Sequence, residues 1–221
     1  MGRRVTFTGD GAALEGYLAV PAEDAGPAVV VLGEWWAALG HIPSVCDRLA
    51  AEGFVALAPD LYRVPEVPDE AVRRAMVPAV DTAAHDVAAA ARHLREEFGG
   101  RVGVLGFSLG GGLALRAAGV SEDLDAAVAF YPAGPWGRVD AEPGSYAGTP
   151  VLVHCADDES AAGTRDLAHK TIEAAGGELR VYDYPGTPEG FFDDDRPASY
   201  REDAAKAAWA RTLELFRTRL S

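Results

Sequence analysis

The residues best placed to do chemistry are Ser108 and the glycines around it, in the run Gly106-Phe107-Ser108-Leu109-Gly110. An apolar strand pattern enters this run, and a helical pattern, Gly111 to Ala118, leaves it at once. A G-x-S-x-G between strand and helix is the mark of a nucleophile elbow, a sharp turn that holds the serine in a strained backbone conformation. Small residues two positions on either side let strand and helix approach closely. A serine hydroxyl is a useful nucleophile only when a base takes its proton. The backbone N–H of Leu109 and one near Trp35 are candidates for an oxyanion hole. Glu34 follows another apolar run, where strand ends in open α/β sheets present ligands.

The elements that must carry these groups alternate along the chain. Arg4–Thr8 and Leu14–Val20 read as strands joined by the turn signal Gly9-Asp10-Gly11. Residues 28–33 form a β-branched run suited to a strand buried on both faces. His41–Glu52 has helical spacing and stops at Gly53, and Phe54–Ala58 is the next strand. Asp81–Phe98 is helical, with Ala83, Val87, Ala90, Ala91 and Leu94 on one face. After the elbow come strands at Asp125–Phe130, Pro150–Cys155 and Glu178–Tyr184, with helices at Arg165–Ala175 and Ser199–Arg219. This order predicts one domain over residues 1–221, a mostly parallel sheet with an antiparallel N-terminal edge and helices on both faces. With the elbow it points to an α/β-hydrolase fold.

Composition narrows the function classes. Hydrophobic residues are 48% of the 221, enough for a sizeable core, and the formal charge of −14 argues against nucleic-acid binding. No apolar run approaches a membrane span, and no signal-peptide pattern opens the chain, so a cytoplasmic location and no membrane partner are expected. The two cysteines, Cys46 and Cys155, have neither metal-site nor disulfide spacing and read as buried reduced thiols. Trp36, Tyr62, Tyr131, Trp136, Phe191 and Phe192 fall in loops at the expected site edge and could line a pocket for a flat or apolar small molecule. The chain is expected to act as a monomer or homodimer.

Gly33-Glu34-Trp35-Trp36, the run from Asp47 through Pro59-Asp60-Leu61-Tyr62-Arg63, the elbow, Tyr184-Pro185-Gly186 and Gly190-Phe191-Phe192 together resemble the dienelactone hydrolase family. The resemblance spans nearly the whole chain in order. It implies cofactor-independent hydrolysis of small lactones or esters by a Cys–His–Asp triad, with a glutamate contacting the nucleophile. Mapped onto this sequence, the nucleophile is Ser108 rather than cysteine, and the glutamate is Glu34. The triad acid falls at Glu159, with Asp157 and Asp158 as near alternatives, and the histidine position holds Glu189. An arginine that helps bind substrate carboxylate in the best-known members would fall near Asp193.

A carboxylate near its reference pKa of about 4 is a far weaker base than imidazole. Among the histidines, His41 is the best substitute. His85, His93 and His169 read as solvated helix residues, and His154 as a hydrogen-bonded core residue. Crowding of Glu34, Glu189 and Glu159 around Ser108 would raise at least one carboxyl pKa and create an acid/base pair. Three functions follow as expectations: a hydrolase of a small apolar ester or lactone, a non-hydrolytic acid/base catalyst (cyclase, isomerase or dehydratase) on the same scaffold, or an inactive binding protein.

Overall fold

Ala28–Leu32 (β3) shows how the core is built. All five residues are buried, and side chains alternate across the sheet: Ala28, Val30 and Leu32 join one core cluster, Val29 and Val31 the other. A strand buried on both faces needs cover on both sides, and the helices supply it. The computed structural model describes residues 2–9, 13–23, 26–34, 40–61, 80–134, 144–158 and 161–221.

The remaining strands are β1 (Arg3–Thr8), β2 (Ala13–Ala19), β4 (Val55–Pro59), β5 (Val102–Phe107), β6 (Ala126–Phe130), β7 (Val151–Ala156) and β8 (Leu179–Tyr184). Among the described residues, these and β3 form one eight-stranded sheet in the order β1-β2-β4-β3-β5-β6-β7-β8. β1 pairs antiparallel with β2, and β2 with β4, while every other pair is parallel. The expected mostly parallel sheet with an antiparallel N-terminal edge is therefore present.

Among the described residues, five α-helices cover it: α1 (Ile42–Ala51), α2 (Val80–Phe98), α3 (Leu109–Ala118), α4 (Ala161–Ala168) and α5 (Glu202–Leu220). α2 and α3 contribute Val87, Leu94, Leu113 and Leu115 to one cluster, with Ala168 of α4. α1 and α5 contribute Val45, Leu49, Leu213 and Phe216 to the other. α4 begins four residues before the expected Arg165 and runs into a π-helical turn, His169–Glu173. α5 begins three residues after the expected Ser199, because Arg201 is still extended at φ −132°. Among the described residues, no helix is long and apolar enough to cross a membrane.

The chain reverses direction across the sheet between β3 and β5, since β4 lies on one side of β3 and β5 on the other. Such a switch point opens a crevice at the strands' carboxyl ends. Glu34, Ser108, Tyr131, Asp157 and Glu189 lie just beyond the ends of β3, β5, β6, β7 and β8, five neighbouring parallel strands.

Candidate active site

Ser108 sits between β5 and α3 with φ +50° and ψ −117°, outside the regions favoured by L-residues. The close approach that creates this turn demands glycine. A Cβ at Gly106 would lie 2.1 Å from the Gly110 carbonyl oxygen, and one at Gly110 would lie 2.3 Å from the Gly33 carbonyl oxygen. The Ser108 N–H donates to the Phe130 carbonyl at 3.0 Å, while its own carbonyl accepts from Gly112 and Ala133, both at 3.0 Å. These bonds tie the elbow to the end of β6. The residue is 8% exposed.

The Ser108 hydroxyl donates to Glu189 Oε1 at 2.5 Å. Glu189 occupies the loop after β8 and is itself exposed. Asp157, a near alternative for the triad acid, braces that loop: its carboxylate accepts from the Gly186 N–H at 2.8 Å, and its own N–H donates to the Thr187 carbonyl at 2.8 Å. Leu109 opens α3, so its N–H belongs to the helix start beside Ser108.

Glu34 is brought to the same edge but is held by an ion pair with Arg196. The Arg196 Nε also donates to Asp193 Oδ2 at 2.5 Å, and His41 Nδ1 lies 3.5 Å from that same oxygen. Asp193 Oδ1 accepts from the Asp195 N–H at 3.0 Å. The pairing with Glu34, then with Asp193, holds Arg196 protonated more firmly than usual. His41 is buried edge-on against Phe107 at 5.2 Å, and burial lowers its pKa, so it stays neutral near pH 7.

This network corrects several expectations. Of the three carboxylates expected to crowd Ser108, Glu34 is neutralised by the Arg196 guanidinium, Glu189 is exposed, and Glu159 lies outside the described residues. His41 is engaged by Asp193, and the serine hydroxyl is given to Glu189 instead. Asp193 does not leave the site without an arginine, because Arg196, three residues on, brings one back. Sequence reasoning missed Arg196; its signal was a cation three residues after a carboxylate in the loop that follows Gly190-Phe191-Phe192. Phe191 and Phe192, expected on a pocket wall, are closed into an aromatic core with Phe107, Phe130 and Tyr184, for hydrophobic burial outweighs exposure for such rings.

Tyr131, also 5% exposed, remains at the site. His154 is the core residue expected: Tyr184 and Thr212 hydroxyls flank its ring nitrogens at 2.7 and 3.1 Å, and burial drives its pKa down to about 3. His93 departs from the solvated reading by stacking on Phe7 at 5.1 Å. Glu159, Trp35, Trp36, Tyr62 and Trp136 lie outside the described residues. Among the described residues no group of three histidine, cysteine or acidic side chains is arranged to hold a metal ion.

The chain is similar to known proteins over its whole length. The chain is 32% identical to Protein usf of Aquifex pyrophilus and 31% identical to a putative carboxymethylenebutenolidase of Aquifex aeolicus, each alignment covering 100% of both chains. Its fold matches the crystal structure of a putative dienelactone hydrolase from Klebsiella pneumoniae with a TM-score of 0.84, at 24% identity over 98% of each chain. A dienelactone hydrolase-like promiscuous phosphotriesterase, P91, from metagenomic libraries matches with a TM-score of 0.83, at 22% identity over 100% of this chain and 99% of the other. The family model for dienelactone hydrolases matches residues 14–220, from β2 through the end of α5, and so the chain belongs to the dienelactone hydrolase family of α/β-hydrolase-fold enzymes.

Proposed function

We propose that the protein hydrolyses a small activated ester or lactone through an acyl-Ser108 intermediate, with Glu189 as the base. The observation that carries this reading is the 2.5 Å hydrogen bond from Ser108 Oγ to Glu189 Oε1 within a nucleophile elbow. A hydrogen bond of that length puts the accepting carboxylate in position to take the proton.

This geometry supports the following steps. Ser108 Oγ attacks the acyl carbon as its proton passes to Glu189. The bond from the acyl carbon to the leaving oxygen breaks, and Glu189 returns the proton to that oxygen. Water then gives a proton to Glu189 and its oxygen to the acyl carbon. Ser108 leaves and regains the proton, releasing the acid. The N-terminus of α3 offers backbone N–H groups to the oxyanion. A carboxylate base is intrinsically weaker than imidazole, which favours substrates whose leaving oxygen departs readily. Arg196 on Glu34 speaks against the two-carboxylate acid/base reading, which needs both glutamates free to exchange protons at the substrate.

A p-nitrophenyl acetate burst, with mass spectrometry of the trapped protein, tests the assignment. The expected result is acetylation of Ser108, its loss in Ser108→Ala, and a fall in kcat of about 10²–10⁴ in Glu189→Gln, the range for a lost general base. Unchanged hydrolysis by Ser108→Ala refutes it.

A further inference from the structure

Tyr131 is the one other described non-glycine residue besides Ser108 with a positive φ, at +37°. A bulky side chain there is strained, and such strain persists only where the surroundings impose it. Here they do. The Tyr131 N–H donates to the His154 carbonyl at 2.6 Å, and the ring is wedged among Phe107, Phe130 and Phe191, with centroids 6.3, 6.2 and 5.5 Å away. The side chain is therefore locked in place. Yet its hydroxyl is buried and has no hydrogen-bond partner. Buried hydroxyls are nearly always paired, and an orphan in a native fold asks for a partner that the chain does not itself supply.

The charges that act on this hydroxyl are those of the site: Glu34, Arg196, Asp193 and Glu189. Burial first, then Glu34, pushes the phenol well above its ordinary pKa, so it is a neutral donor at any physiological pH. A donor in acidic surroundings would ordinarily bond to one of the carboxylates. In the structure these carboxylates are held by other groups, Glu34 and Asp193 by Arg196 and Glu189 by Ser108, and none of them accepts from Tyr131. The phenolic hydrogen is thus left for a guest. β6 and β3 lie on opposite sides of β5, so the backbones of Tyr131 and Glu34 leave the sheet on either side of the strand that carries Ser108.

We propose that the Tyr131 hydroxyl is a catalytic hydrogen-bond donor to the leaving oxygen of the ester or lactone, stabilising negative charge there as the acyl–oxygen bond breaks. It rests on the hydrolase reading above. The phenol keeps its proton throughout, and the proton that leaves with the alcohol is the one Glu189 took from Ser108. The donor also offsets what a carboxylate base lacks, because the leaving oxygen is stabilised before its proton arrives.

The test is a series of acetate esters with leaving groups from p-nitrophenol through phenol to a simple alkanol, run on wild type and Tyr131→Phe. The substitution removes one oxygen and leaves the ring packing. A thermal melt of each protein monitors folding. A good leaving group needs little help, so the expected loss in kcat is a few-fold on p-nitrophenyl acetate and grows to about 100-fold on the alkyl ester, with Ser108 acylation by the nitrophenyl ester retained. A loss independent of the leaving group, or no loss, overturns the role of Tyr131 while leaving the Ser108–Glu189 hydrolase intact. Absence of acyl-Ser108 in wild type overturns both.

Discussion

Replacing Arg196 with glutamine isolates the electrostatic frame of the site from its nucleophile, since Arg196 makes no hydrogen bond to Ser108 in the structure. The change leaves two carboxylates without their shared cation. Asp193 is only 5% exposed and Glu34 17%, whereas Arg196 is 47% exposed. Breaking a fully buried ion pair costs about 3–5 kcal/mol, and an exposed pair contributes at most about 1 kcal/mol. A half-exposed arginine on two largely buried carboxylates falls between, and solvent screening of the guanidinium argues for the lower half, about 2 kcal/mol at about pH 8. For a chain of this size that is a fall in Tm of about 4–8 °C. The deficit also has a pH signature. Arg196 helps to hold the His41 pKa down, and Asp193 and Glu34 pull it up, so losing the arginine raises it. The folded variant therefore binds a proton on His41 at a pH where the folded wild type binds less, while the unfolded chains are alike. A group whose folded pKa rises contributes stability that appears as pH falls. The deficit is therefore larger at the higher pH and shrinks as pH falls and His41, 3.5 Å from Asp193, gains a proton in place of the arginine's charge. Urea titrations of both proteins at about pH 8 and about pH 5 read this directly. Equal deficits at the two pH values, or one below about 0.5 kcal/mol at the higher, refute the reasoning.

Two further outcomes follow from buried groups away from the nucleophile. Burial raises the Cys46 thiol strongly and the Cys155 thiol to about 12, so neither should react with a thiol reagent in the native protein, and both should react after unfolding; rapid native labelling would show that one is accessible. His154, with its pKa driven down to about 3 by burial and then by Arg211, stays neutral in the fold while the unfolded chain protonates below about 6.5. Its contribution is present above that pH and is lost at up to about 1.4 kcal/mol per unit between about pH 6.5 and 3, so His154→Gln should flatten the acid limb of the stability profile, and parallel limbs for the two proteins would exclude the effect.

The sheet was legible because its signals are local and repeated. β-branched runs such as 28–32, glycine stops such as Gly53 and the G-x-S-x-G turn each encode an element within a few residues. Helix ends were less legible: α5 starts late because the backbone at Arg201 is extended, a choice made by the loop packing before it. The candidate site was legible one strand end at a time, as Glu34, Ser108, Tyr131 and Glu189. Which of these pair was not, because pairing depends on side chains from distant loops. Arg196 shows why. Nothing about its position in sequence says that it reaches Glu34, 162 residues away, and that contact changes Glu34 from a free carboxylate into half of an ion pair.

The exposures within the site argue for a direction of substrate entry. Glu189 is exposed and Ser108 is 8% exposed, while Tyr131, His41 and Asp193 are buried beyond them. Solvent thus reaches Glu189 and not the Tyr131 side chain. On the proposed reading, a guest that enters past Glu189 displaces water from that carboxylate before its acyl carbon reaches Ser108. Loss of water makes the carboxylate a stronger base, as desolvation disfavours its charged form. A substrate large and apolar enough to cover Glu189 would therefore activate its own attack, whereas a small polar ester would leave the base solvated. Across acyl esters of one leaving group, kcat should then rise with the apolar area that covers Glu189, and a flat series would show that the carboxylate gains nothing from being covered.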